Sequence, residues 1–315
     1  MPQVSVIIPT RNRAGFLAGA LKSVLEQSFR DLEIVVVDDG GDDDARGVVK
    51  GFNPAPIRYL RHDRRRGGAA ARNTGIVNSS GEYVAFLDDD DEWYPEKLAR
   101  QMDVMLASPL QVGGVYTGYF IVDRSDGRVR GQIVPSQGGN LDETLLAGNC
   151  IGGTSSMLLR RACFDKIGLF DERLPSFQDY DLWLRIARKF HFAYVREPLL
   201  KYFVHRDKIW TNSKALTEGL ELMLRKYGRS AAFRHKCSVY YLALGVQHCE
   251  ADQFSAGRKA LMKAARLNPL ALEPYVYLGL ALLGGENFRW ACKAKARLLP
   301  RWQSREAEAG MAEHA

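Results

Sequence analysis

Apolar and polar positions alternate in short blocks along the first third of the chain. Val4–Pro9 is an almost unbroken apolar run of strand length, and Leu17, Leu21, Val24 and Leu25 recur at the spacing of a helix over 14–27. Glu33–Val37 is a second, β-branched strand, closed by Asp38-Asp39-Gly40-Gly41. Ile57–Leu60 predicts a third strand, residues 68–78 a helix of small residues, and Tyr83–Leu87 a fourth strand. Pro95–Ala107 predicts a helix with proline in its first turn. Such alternation implies an α/β fold, a parallel sheet with helices on both faces. Ligands of these sheets bind beyond the carboxyl ends of the strands. That rule gathers Pro9-Thr10-Arg11-Asn12, Asp38-Asp39 and Asp88-Asp89-Asp90-Asp91 along one edge.

From Gly113 the strands become longer and more aromatic: Val115–Val122 and Ser155–Leu159, then a helix at Tyr180–Phe190, then Phe192–Val195 and Leu199–Val204. The first domain is expected to span 1–212. Residues 213–315 read as helical, with an internal echo: Tyr241, Leu244 and Gly245 recur as Tyr275, Leu278 and Gly279. Leu261, Ala264 and Pro269 fall where a tetratricopeptide-like helix pair places its packing residues and terminal proline. The second unit fades at Lys295 and Leu298. About three repeats are needed for stability, so this segment is expected to lean on the first domain or on a partner. A plain amphipathic helical hairpin is the alternative, and Ser304–Ala315 reads as a polar, frayed end.

Composition narrows the class. With 46% hydrophobic and 26% charged residues in 315, the chain reads as a globular protein. No apolar stretch reaches the ~18–20 residues of a membrane span, and the N-terminus reads as a strand, not a signal peptide. Five cysteines without a C-x-x-C pair predict reduced thiols and no structural zinc, as in a cytoplasmic protein. The net charge of +7 concentrates at Arg61, Arg64–Arg66, at 225–236 and at 289–301. Aromatic residues are not interleaved with these bases and no nucleic-acid motif is visible, so nucleic acid is excluded as a partner.

The acidic run carries the chemistry. Four consecutive carboxylates behind a buried strand repel one another and call for positive charge. On the run alone, a solvated acidic turn and a divalent-cation site both stand; Mg²⁺ and Mn²⁺ prefer hard oxygens and share them with phosphates. Gly67-Gly68-Ala69-Ala70-Ala71-Arg72 lets the backbone approach an anion at a helix N-terminus, although small residues also permit close helix–sheet packing.

Four segments in register, Val4–Arg13, Val37–Gly40, Arg72-Asn73-Thr74-Gly75 and Phe86–Asp91, resemble the family 2 glycosyltransferases, of GT-A fold, over residues 3–210. The resemblance implies a nucleotide-sugar donor, with nucleoside contacts at Pro9, Thr10, Arg11 and Asp39 and a donor-side contact at Arg72. It maps a D-x-D pattern onto Asp88-Asp89-Asp90, with donor contacts at Asp88 and Asp89. Asp90, then Asp89, would be the ligand of Mn²⁺ or Mg²⁺.

Ser176–Arg185 resembles the family's E-D-x-D-L-x-x-R segment, which makes Asp179 the general base; Gln178 stands where glutamate is more usual. Asp179 equally suits an N-cap, and the two roles are compatible. Gly168–Glu172 matches the acceptor side, and Tyr202–Arg206 resembles a Y-x-x-H segment whose His205 would complete the metal or diphosphate site; a structural histidine after an apolar strand is the alternative. The implied reaction is inverting transfer to a hydroxyl of a saccharide or lipid-linked acceptor, in surface-polysaccharide assembly on the cytoplasmic side. A nucleotidyltransferase, or a nucleotide-binding scaffold acting through its helical tail, is the alternative. The basic tail, with Phe288, Trp290 and Trp302, suggests peripheral contact with a membrane surface or a partner enzyme.

Overall fold

The computed structural model describes residues 2–52, 57–204, 213–282, 284–285, 288–289 and 292. They divide into two compact units. The first unit holds β1 (Val4–Thr10), α1 (Ala14–Leu25), β2 (Leu32–Asp38), α2 (Ala45–Lys50), β3 (Ile57–Arg61), α3 (Gly68–Val77), β4 (Tyr83–Phe86), β5 (Glu92–Trp93) and α4 (Lys97–Ala107). It continues with β6 (Val112–Asp123), β7 (Val129–Ile133), α5 (Asp142–Ala147, of which Asp142–Leu145 fall in this unit), β8 (Met157–Arg160), α6 (Ala162–Ile167), α7 (Gln178–Ala187) and β9 (His191–Val204).

All the strands join one mixed sheet in the order β3-β2-β1-β4-β8-β6-β9-β5, with β7 beside β6. The first four are parallel, as their alternation with helices predicts, and Thr10 sits level with Asp38. The period-2 pattern sorts side chains to the two faces. Val6, Ile8, Ile34 and Val36 join the α1 core, while Val35 and Val37 meet Ala71 of α3. Small residues bring α3 close to the sheet: a β-carbon at Gly75 would collide with Ile7.

Beyond β4 the sheet turns antiparallel through β8 and β6. The two strand pieces expected at 192–195 and 199–204 form one strand, β9, parallel to β6; Pro198 is absorbed by a register shift at Thr117/Gly118. Glu92 and Trp93, directly behind the acidic run, pair with Lys201 and Leu200 of β9. This pairing curls the sheet, so that β9 closes against the end of β4.

The second unit contains α8 (Ser213–Tyr227), α9 (Ala231–Glu250), α10 (Phe254–Leu267) and α11 (Glu273–Leu282). Ser230 caps α9 by accepting from the Phe233 N–H at 3.3 Å. Gly245 lets α9 approach Leu261 of α10, whereas among the described residues a β-carbon at Gly279, its echo in α11, would meet nothing within 4 Å. Phe288, expected on a membrane-facing surface, is instead fully buried beside Phe254 and Tyr277, so it belongs to the unit's own core. Trp290, Lys295, Leu298, Trp302 and Ser304–Ala315 lie outside the described residues, as does His205.

Candidate active site

The four aspartates after β4 have four different surroundings. Asp88 keeps a third of its side chain exposed; its Oδ1 accepts from Arg72 Nη2 and, at 3.3 Å, from the Thr154 hydroxyl. Asp89 is buried, accepting from Thr10 Oγ1 at 2.7 Å and from Arg13 Nη1 at 3.3 Å. Asp90, also buried, takes the same Arg13 Nη1 at 3.0 Å. Asp91 accepts from Ser155 Oγ at 2.7 Å and from the Phe203 N–H at 3.3 Å. It therefore stitches the run to β9. Burial, reinforced by Asp90, pushes the Asp89 carboxyl up to about 7 against the pull of Arg13 and Thr10.

The sequence reading assigned neutralisation of the run to a cation; in the structure arginines supply part of it. Besides Arg13 and Arg72, Arg124 donates to the Asp90 carbonyl at 3.0 Å. Its guanidinium lies between the rings of Phe16 and Phe203, 4.1 and 4.3 Å from their centroids. No short-range pattern marks Arg124, because β6 brings it in from a distant part of the chain. Arg13 closes the Val4–Arg13 segment, where nothing in the sequence distinguishes it from Arg11.

Asp38 and Asp39 separate into two roles. Asp38 is fully buried, accepting from Gly41 N at 2.8 Å and the Tyr59 hydroxyl at 2.7 Å, and so closes the turn. Asp39 Oδ1 accepts from His62 Nδ1 and Arg66 N, both at 2.8 Å, and Oδ2 from Gly67 N at 2.7 Å. A carboxylate offers about four acceptor positions, so one remains, on Oδ2. Because a carboxylate only accepts, Nδ1 of His62 carries the hydrogen, and Nε2 faces Thr74 Oγ1 at 2.9 Å. Pro9, within the last residues of β1, and Arg11, just after it, belong to the same edge, and the Arg11 Nε is buried without a hydrogen-bond partner among the described residues.

Arg72, on α3, joins the acidic run to the helix that carries Asp179. Its Nη1 donates to Gln178 Oε1 at 3.3 Å while Nη2 holds Asp88, and the Phe170 ring lies 5.7 Å away. The glutamine that replaces the usual glutamate thus keeps an acceptor here without a second negative charge. Helix α7 begins two residues earlier than its apolar pattern implied. Its N-cap is Phe177, in left-handed backbone at φ 60°, so Asp179 lies within the first turn and is not the cap. Burial pushes the Asp179 carboxyl up to about 6, opposed by the Tyr180 N–H that it accepts at 2.7 Å and by Arg72. Tyr202 of β9 lies within the field of Asp91, Asp90, Asp88 and Asp179; burial first and those charges next keep its phenol protonated.

Among the described residues no group of three or more His, Cys, Asp or Glu side chains is placed to hold a metal ion by itself. The run presents hard oxygen donors, with Asp88 partly open to solvent. This donor set fits a cation that completes its shell on another molecule's phosphates, not one caged by protein alone.

Residues 5–168 match the family model described as Glycosyl transferase family 2. A protein of Rickettsia felis named an uncharacterized glycosyltransferase is 33% identical over 213 residues, covering 66% of this chain. The chain spans only 35% of that relative's length. The Escherichia coli UDP-Glc:alpha-D-GlcNAc-diphosphoundecaprenol beta-1,3-glucosyltransferase WfgD is 31% identical over 185 residues, 59% of this chain and 70% of its own. Among solved structures, Staphylococcus aureus TarS 1-349 with UDP-GlcNAc superposes with a TM-score of 0.61 at 18% identity, over 91% of this chain and 89% of that one. Mannosyltransferase PcManGT from Pyrobaculum calidifontis, with GDP-Man and Mn²⁺, gives 0.59 at 20% identity, over 99% and 86%. At these identities the likeness concerns the fold.

Proposed function

Because the chain belongs to glycosyl transferase family 2, we propose that it transfers a glycosyl group, with inversion, from a nucleoside-diphosphate sugar to a hydroxyl of a saccharide acceptor. The observation that carries this reading is the fork of Arg72, which ties Asp88 to the first turn of α7, where Asp179 lies. One guanidinium then holds a donor-side acid and the residue next to the candidate base.

In this mechanism Asp179 accepts the acceptor hydroxyl's proton as the oxygen attacks the anomeric carbon. A carboxyl titrating near 6 is mostly ionised at neutral pH yet basic enough to share a proton in the transition state. The one remaining acceptor position on Asp39 suits a base N–H, while Pro9, Thr10 and Arg11 border the nucleoside and Asp88 the ribose. Arg72 is left to face the diphosphate. Asp90, with Asp89 second, would hold Mn²⁺ or Mg²⁺, the pairing suggested by the GDP-Man and Mn²⁺ of PcManGT. Such an ion, when bound, supplies positive charge to the departing diphosphate. His205 remains a proposed further ligand.

The diphosphoundecaprenol acceptor in the name of WfgD supports a lipid-linked saccharide here, in polysaccharide or glycolipid assembly. No helix among the described residues is long and apolar enough to cross a membrane; the proposed route to such an acceptor is peripheral contact. The proposed division of labour gives transfer to 1–212 and docking to the tetratricopeptide-like 213–315.

The test is a screen of uridine, guanosine and thymidine diphosphate sugars with Mn²⁺, reading nucleoside diphosphate release. Release that stops on chelation and returns with Mn²⁺ is expected. Pyrophosphate release from a nucleoside triphosphate instead, or turnover indifferent to chelation, overturns the reaction or its cation respectively.

A further inference from the structure

We propose that Arg13 is a displaceable counter-cation, which holds Asp89 and Asp90 together in the ion-free protein and yields Asp90 when a divalent ion binds. The inference rests on the cation reading above and concerns how this chain prepares for the ion. Arg13 occupies the N-cap position of α1, yet its side chain makes no capping bond. The Ala14 N–H is satisfied from elsewhere, by Asp43 Oδ2 at 2.6 Å. A guanidinium only donates and could not cap that N–H; it crosses instead to the acidic run, where one nitrogen, Nη1, meets Asp89 Oδ1 at 3.3 Å and Asp90 Oδ2 at 3.0 Å.

Asp89 has a second anchor in Thr10 Oγ1 at 2.7 Å, which fixes its ring of contacts whether or not Arg13 shifts. Both carboxylate side chains are nearly inaccessible, at 6% and 7%, while Arg13 retains 29% exposure. The arginine therefore has a route outward that the acids lack. A divalent ion arriving at Asp90 meets a positive charge already in place, and like charges at this range repel strongly where water is scarce. Withdrawal of Arg13 from Asp90, with its grip on Asp89 kept, relieves that conflict. Arg13 then sets the ion's affinity and offsets the repulsion between the two carboxylates.

Arg13→Gln separates these effects, with Arg13→Lys as the charge-preserving control. Mn²⁺ binding is read from the free-ion electron paramagnetic resonance signal, and melting temperature is read in chelator and in excess Mn²⁺. Removing one charge-assisted contact predicts Mn²⁺ affinity about 10-fold tighter in Arg13→Gln. Its melting temperature should be lower than wild type in chelator and equal to it in saturating Mn²⁺. Arg13→Lys should stay within about threefold of wild type, because it keeps the charge. Equal or weaker Mn²⁺ affinity in a folded Arg13→Gln overturns the counter-cation while leaving the proposed transfer standing. Absence of Mn²⁺ binding in every protein, with transfer indifferent to chelation, takes both away.

Discussion

Asp179→Asn makes two effects diverge that usually travel together. The substitution keeps an oxygen to accept the Tyr180 N–H, so the first turn of α7 has no reason to change. It removes a carboxyl that burial lifts from the ordinary aspartate value of 3.8 to about 6. A raised folded value means that the protonated form gains on folding. Stability contributed by this group is thus greatest below about pH 4 and falls as pH rises through about 6. Two units at 1.36 kcal/mol each give an upper bound of about 3 kcal/mol lost at pH 7. Asp179→Asn should recover about 1–3 kcal/mol of it, a rise of several degrees in melting temperature at pH 7 that vanishes near pH 4. Activity should move the other way. With a base of pKa about 6, the ionised fraction is about nine-tenths at pH 7 and about one-tenth at pH 5, so wild-type transfer should fall roughly ninefold between them. In Asp179→Asn that limb should disappear and the rate should drop about 10²–10⁴-fold. The assay is nucleoside diphosphate release with acceptor from pH 5 to 9, paired with thermal melts in the same buffers. Wild-type transfer by Asp179→Asn, or an activity loss accompanied by a lowered melting temperature, refutes the reasoning.

Two further predictions probe the scaffold. Gly75→Ala should cost about 1–3 kcal/mol in a urea melt, because the new methyl meets Ile7 where α3 rests on β1; an unchanged midpoint would mean the helix can lift away freely. Lys97 is fully buried, donates to Gln101 Oε1 at 2.7 Å and lies 4.1 Å from the Trp93 ring centroid, and burial holds its ammonium well below the usual lysine value. Its unfolded form binds more protons in that window, so wild-type stability should gain up to about 1.4 kcal/mol per pH unit, relative to Lys97→Met, as pH rises toward 10. Parallel urea melts at pH 7, 8.5 and 10 read this directly, and a constant difference would show Lys97 charged in the folded state.

Much of the first unit is legible because its information is local. Val4–Thr10, Leu32–Asp38 and Tyr83–Phe86 announce themselves by β-branched runs, and the strand-end rule gathers Thr10, Asp39 and Asp88–Asp91 before any coordinates exist. What escapes is information carried by pairing. Pro198 interrupts the apolar run of 192–204, so the pattern reads as two strands; the structure keeps one, because the ladder with β6 restarts after a shift at Gly118. Glu92-Trp93 is too short for any periodicity, yet its pairing with β9 is what bends the sheet around the site. In α7 the apolar face starts at Tyr180, but the helix starts at Gln178, since backbone turns need no apolar residue to begin.

The acidic run shows the same division within a single motif. Four identical residues carry no internal signal of role, so sequence alone leaves the register ambiguous. Their partners break the degeneracy. Asp91 is bound by Ser155 and the Phe203 N–H, which leaves little of it for any ligand. Asp88 alone among the four keeps a third of its side chain in solvent, and Arg72 holds it toward α7. Asp89 and Asp90 share Arg13, with Thr10 fixing the former. The expectation that four carboxylates require positive charge was sound electrostatics. It named too few sources, because guanidinium groups from α1, α3 and the end of β6 reach the same place through the fold. A motif reading that seeks a metal at every acidic cluster overlooks this. The physical question is which acids the protein has already neutralised, and how readily each arginine can let go.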